Sequence, residues 1–210
     1  QAVVGAFMLL VLGTLLDIEP ILAITQSAAY LPILFLLLGM ESVALFLSTM
    51  HLGKPHRFYR AFNNLRHSPV SREVAGVAVF FNCLLGHFFF GLFDYQPAQQ
   101  LSALLAYAGV MAGPVALYFM HKIYRIKARP FWDHWQVLAA FYGNMLTLGA
   151  WLVALVFVPY AIYQGENGLL LLNIVAPLML LGLVIEAIGH VFHARDLQLN
   201  DREGLVSWYE

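Results

Sequence analysis

The sequence predicts an all-α fold, a polytopic bundle of transmembrane helices forming one integral-membrane domain over residues 1–210. Three observations predict it. Hydrophobic residues make up 61% of the chain and charged residues only 11%, and the mean hydropathy is +0.74, well above that of a soluble domain. Five apolar segments, at about 28–50, 70–93, 101–121, 136–159 and 168–192, reach the roughly 20 helical residues needed to cross a hydrocarbon core of about 30 Å. Most of the charges fall in the connections between these segments or at their edges.

Residues 2–16 make a sixth apolar segment, but about 15 residues rise only about 22 Å. The chain opens on Gln1, so the expectation is that this span starts before the sequence given. No basic region precedes it and it runs directly into Asp17-Ile18-Glu19-Pro20, which does not read as a cleavable signal. In the hairpin before 70–93, Ser68 can cap the helix and Pro69 suits its first position. Gly113-Pro114 and Pro177 interrupt two spans, as membrane helices tolerate where neighbours satisfy the freed carbonyls, and a kink accounts for them.

Six alternating spans put the connections near 17–27, 94–100 and 160–167 on one side of the membrane. The connections at 51–69 and 122–135 and the tail after 193 fall on the other. All 11 Lys and Arg lie on the second side or at helix ends facing it, while the first carries only Asp17, Glu19, Asp94 and Glu166. The positive-inside rule then places the basic loops in the cytoplasm, although a cation that serves docking or a ligand does not report topology. The net charge is −1, and nothing points to nucleic acid.

Few groups inside the spans can do chemistry. Cys83 is alone, so the chain can build neither a disulfide nor a Cys-ligated iron–sulfur cluster. Glu41 and Glu186 lie mid-span, where a carboxylate is a candidate for proton handling. The plainer alternative is a neutral glutamic acid hydrogen-bonded between helices. Ser48 shares the face of Glu41, and His51 closes the helix about 80° round. Of the eight histidines, only His87, His121 and His190 fall within spans. A haem needs two axial imidazoles at one depth, which leaves one possible pair, His121 with His190, and no metal site is expected.

The densest polar feature is the run His51-Leu52-Gly53-Lys54-Pro55-His56-Arg57-Phe58-Tyr59-Arg60, continued through Asn64-Leu65-Arg66 to Pro69-Val70-Ser71-Arg72-Glu73. Four arginines, a lysine, three histidines and a glutamate fall within these 23 residues. His51 closes one span and Glu73 is expected in the first turn of the next, at one membrane level. A quinol entering from lipid needs an acceptor or base near each ring oxygen, and an imidazole and a carboxylate suit that task. The alternatives are an interfacial helix-end histidine and a carboxylate complementing a helix dipole.

The stretch His51-Leu52-Gly53-Lys54-Pro55, with Arg57 and Arg60, then Asn64-Leu65 and Ser71-Arg72-Glu73-Val74, resembles the first half of the membrane-anchor subunits of the dimethyl sulfoxide reductase family. Ile123-Tyr124-Arg125 with Ala128-Arg129-Pro130-Phe131-Trp132 is similar to the loop after that family's fourth span. The resemblance runs from Gln1 to about Tyr160 and is loose beyond it. Such anchors typically have eight spans, two more than are visible here.

The resemblance implies a three-subunit oxidoreductase of anaerobic respiration in a bacterial or archaeal cytoplasmic membrane. Its pterin catalytic subunit, with molybdenum or tungsten, and its iron–sulfur electron-transfer subunit would be held by this anchor. The metal centres would belong to those partners. The anchor would bind menaquinol or another quinol transiently and carry no haem. By motif position His51 and Glu73 would form the quinol site, while Arg57, Arg60 and Arg72 would line it or face the iron–sulfur subunit. Three alternatives stand beside this one: a dehydrogenase-direction anchor feeding quinone, as in sulfite oxidation; a structural anchor without quinol; and a secondary transporter with broken helices.

Overall fold

The computed structural model describes residues 1–50, 53–125, 132–165 and 167–199. Among these residues seven α-helices follow one another: α1 (Ala2–Leu15), α2 (Glu19–Thr25), α3 (Tyr30–Met50), α4 (Pro69–Gly91), α5 (Gln96–Tyr124), α6 (Gln136–Tyr163) and α7 (Gly168–Leu199). A 3-10 segment, Pro55–Asn64, lies between α3 and α4. Helices α3 to α7 are each long and apolar enough to cross a membrane. They coincide with the five predicted spans and outrun most of them. Helix α5 begins five residues before the expected 101–121, and α7 extends past 192. Hydropathy marks only the apolar middle of a helix, whereas backbone hydrogen bonding continues into polar end turns. Both prolines expected to mark kinks lie inside continuous helices, and the Tyr142 hydroxyl donates to the Pro114 carbonyl at 2.9 Å.

Local chemistry explains the helix ends. Helix α1 stops where Asp17 takes a left-handed conformation (φ 51°), with Ile18 N–H donating to Gly13 O and Asp17 N–H to Thr14 O. This is the paired-bond termination usually built on glycine, here carried by aspartate, which tolerates that region better than most residues. The chain turns by 107° into α2, and the Thr14 and Thr25 hydroxyls, 2.9 Å apart, tie the short helix back. At the other membrane face the Ser68 hydroxyl accepts the Ser71 N–H at 3.3 Å, the predicted cap. That cap corrects one expectation. Counting from Pro69, Glu73 is the fifth helical residue, so it opens the second turn, and the first turn of α4 holds no acid to complement the dipole.

Helices α4 and α5 form one antiparallel hairpin, with Gly76 against Ala116 and Gly86 against Leu105; α6 and α7 form another, with Gly143 and Thr147 against Gly182. Helix α1 is wedged between them. Its 14 residues rise only about 21 Å, yet Val3, Val4, Ala6, Phe7, Leu10 and Val11 are all buried. Phe7 is fully enclosed and meets the rings of Phe80 and His87 edge-on at 5.8 Å. Outward residues such as Phe35, Met111 and Leu180 are exposed and apolar, as a lipid-facing surface requires.

Gly5 of α1 and Gly149 of α6 cross so closely that a Cβ on either would overlap the other helix's backbone. Gly149→Val should therefore cost about 1–3 kcal/mol, read as a lower unfolding temperature of the detergent-solubilised protein. Gly39 has nothing within 4 Å of the place its Cβ would occupy, so Gly39→Ala should change stability by no more than about 0.5 kcal/mol. Equal losses at the two sites would contradict this packing.

Candidate functional site

Alternation of the spans brings Lys54, Arg57, Arg60, Arg66, Arg72, Lys122, Arg125 and Arg195 to one end of the bundle, and Asp17, Glu19 and Asp94 to the other. Of the residues singled out from sequence, His51 lies outside the described residues, as do Ala128, Arg129, Pro130 and Phe131 of the second motif. Arg57 sits on the 3-10 segment, exposed, with no side-chain partner among the described residues. That segment carries exposed Phe58, Tyr59 and Phe62 beside the cations Arg57 and Arg60, the composition of an element lying in a membrane interface.

Arg72 and Glu73 are sequence neighbours, but the 100° helical step sends them to different surroundings. Arg72 reaches back over the hairpin, its Nε donating to Leu65 O at 2.9 Å and an Nη to Arg66 O. It lines a cavity between α4 and α5. Glu73 is half-buried and lies on the face that continues, two and three turns on, through the buried Phe80 and Leu84. The structure thus places a carboxylate on the inward face of α4 near the basic end, with a fixed guanidinium beside it on the outer face.

Two further buried polar residues lie near the level of that carboxylate along the bundle. The contacts of Gly76 with Ala116 and of Gly113 with Phe80 set a register in which His121 of α5 stands level with Ser71 of α4. Both are buried, and His121 Nδ1 has no hydrogen-bond partner among the described residues. His121 entered the sequence reading only as half of a haem pair. The other half, His190, lies on α7, with its Nδ1 3.1 Å from the Gln136 amide nitrogen. The burial of His121 could not be foreseen from α5, because its lipid-facing and inward faces are almost equally apolar.

Two further polar clusters lie apart from this region. At the basic ends of α6 and α7, the Gln136 N–H donates to His134 Nδ1 at 3.0 Å, so His134 Nε2 donates to Asp196 Oδ2, also at 3.0 Å. The His134 ring lies 4.8 Å from that of His193. The described residues contain no group of His, Cys, Asp or Glu arranged to hold a metal ion. At the acidic end the Tyr30 hydroxyl meets His87 Nε2 at 2.8 Å, and His87 Nδ1 meets the Ser102 carbonyl and hydroxyl at 3.0 and 2.9 Å. With Ser102 Oγ donating to His87 O, every donor is used if the His87 proton sits on Nδ1. This chain of bonds ties α3, α4 and α5 together. Glu186 differs from the plainer expectation, since its buried Oε1, beside Gly143, has no hydrogen-bond partner among the described residues.

The fold and this end of the bundle define a multi-pass α-helical membrane protein. The particular family follows from comparison: the family model for the DMSO reductase anchor subunit (DmsC) matches residues 1–202, and the chain belongs to that family. Among curated proteins it is similar to the anaerobic dimethyl sulfoxide reductase C subunit of Haemophilus influenzae, 25% identical over 136 residues, which are 64% of this chain and 48% of the relative. It is also similar to the anaerobic dimethyl sulfoxide reductase subunit YnfH of Escherichia coli, 24% identical over 152 residues, or 72% of this chain and 52% of that one. The chain thus spans about half the length of the curated relatives it matches. No solved structure matches it.

The acidic-end network makes a check. Tyr30→Phe and Ser102→Ala should each cost about 1 kcal/mol, because each removes one partner of His87 and leaves another. His87→Leu should cost more, since it leaves the Tyr30 and Ser102 hydroxyls facing an apolar side chain. Thermal unfolding in detergent checks the order, and a neutral His87→Leu variant would show the network to be incidental.

Proposed function

We propose that this chain anchors a molybdenum or tungsten pterin oxidoreductase to the membrane and binds quinol at its basic end, exchanging electrons between the menaquinol pool and an iron–sulfur subunit in anaerobic respiration. The observation that carries the reading is Glu73, half-buried on the inward face of α4 and directly following the basic hairpin. Membership of the DMSO reductase anchor family supports it, as do the names of the two curated relatives. On this reading the partners are the pterin catalytic subunit and the iron–sulfur subunit, the membrane is a bacterial or archaeal inner membrane, and the basic loops face the cytoplasm.

A bound quinol would supply two electrons and two protons. The chain's own part is to hold the ring at the interface and to accept those protons as the electrons leave. The Glu73 carboxylate and the His51 imidazole are the accepting groups. Arg72, fixed by two loop carbonyls, orients the hairpin that carries them. His121, buried and unsatisfied at Nδ1 among the described residues, gives the same level a further group able to meet a ring oxygen. The transporter alternative lacks support from the described helices. Their one sharp break, at Asp17, lies at the acidic end of α1 and not at mid-membrane, and α5 and α7 pass through Pro114 and Pro177 unbroken.

The test is reduction of the partner's clusters by a menaquinol analogue, comparing the native complex with His51→Ala and Glu73→Gln variants whose subunit composition has been verified. Loss of a proton acceptor should slow cluster reduction by roughly a hundredfold or more. Native rates in both variants would leave the hairpin a docking or topology element.

A further inference from the structure

The cations that face away from Glu73 have a shape of their own. Between the start of α4 and the end of α5 lies a cavity of about 490 Å³, lined by Arg72, Tyr118, Phe119, Lys122, Arg125 and Asp133. Three cations meet one carboxylate there, and that carboxylate is already engaged: Arg125 Nε donates to Asp133 Oδ1 at 2.7 Å. The Lys122 ammonium sits 5.4 Å from the centre of the Tyr118 ring. Among the described residues neither Arg72 nor Lys122 has a carboxylate partner.

A second feature continues the first. Arg72 and Phe119 also line an apolar cavity of about 300 Å³ walled by Ala75, Gly76, Val79, Ala112 and Val115. Ala75 and Val79 in turn line a third cavity, of about 430 Å³, that reaches Cys83. Between Arg72 and Cys83 the helix rises about 16 Å, roughly half the hydrocarbon thickness. The groove therefore starts on unbalanced positive charge at the membrane surface and runs down an apolar wall of small side chains. A neutral quinol head would gain little from the excess charge of two, whereas the single negative charge of a phosphodiester would offset half of it.

We infer that this groove holds one anionic phospholipid, its phosphate against Arg72, Lys122 and Arg125 and an acyl chain along Ala75, Val79 and Val115. Basic pockets between transmembrane helices are suited to such headgroups. The site lies on the outer side of the α4/α5 hairpin, apart from the inward face of Glu73, and does not depend on the quinol reading.

The experiment extracts the full-length protein from its membrane in mild detergent and quantifies co-purifying phospholipid by mass spectrometry, with exchange into nanodiscs of phosphatidylglycerol or phosphatidylcholine. The native protein should retain about one anionic lipid and no phosphatidylcholine. Lys122→Gln with Arg125→Gln should lower retention roughly thirtyfold, the loss expected for two interfacial cations, while Lys122→Arg retains the lipid. Val79→Trp, placed on an exposed site that lines both apolar cavities, separates the two sources of phosphate. It should expel the lipid yet leave binding of inorganic phosphate, followed by radiolabel, unchanged. Unfolding temperatures of all variants guard against misfolding. Equal retention of phosphatidylcholine overturns the proposal, as does undiminished lipid in the double variant. So does lipid retention unaffected by Val79→Trp, or saturable phosphate binding without any lipid, which would make the occupant a free anion.

Discussion

Lipid tails are as apolar as leucine, so a helix in a membrane gains little by moving a leucine from lipid to protein, and association rests on close packing and hydrogen bonds. Much of this bundle follows from that constraint through α1. The Gly5–Gly149 crossing lets α1 and α6 approach to backbone contact, and the same helix inserts Val4 against Gly113 and Phe7 against Gly109 on the other hairpin. Helix α1 is thereby the element that joins the two halves. The positions of Phe80 and His87, and of the α4 face that leads up to Glu73, depend on where α1 sits.

The basic end shows how one helix can serve two environments. A step of 100° between Arg72 and Glu73 puts the cation on the lipid side of the α4/α5 hairpin and the carboxylate on the bundle side. Charges that form one cluster in sequence become two groups with different neighbours. The outer group is exposed and meets the carbonyls of Leu65 and Arg66. The inner group meets the level of Ser71 and His121, where each polar atom must find a partner or remain unpaired at a cost.

The helix start that carries Arg72 and Glu73 was legible because its signals are local. The Ser68 cap and Pro69 start depend on adjacent residues, and the structure has both where the sequence suggested. The displacement of Glu73 into the second turn follows from that same cap, a count the sequence reading missed by one residue. The roles of His121, His134 and Asp196 were not legible, because each depends on a neighbour from another helix: His121 on the α4/α5 register, and His134 on Asp196, 62 residues away.

By itself the sequence determined that the chain is a multi-pass helical membrane protein, where its five long spans lie, and which ends share a side. Those properties follow from hydropathy and charge read along one dimension, since a backbone in hydrocarbon has few ways to satisfy its hydrogen bonds other than a helix. Only the tertiary structure decided which face of each span is inward, that α1 is the wedge, and that the basic cluster divides around α4. In a soluble protein a polar stripe marks the outside of a helix, but here lipid-facing and buried faces are both apolar. The distinction is made by glycines at crossings and by shape complementarity, which exist only once two helices have met.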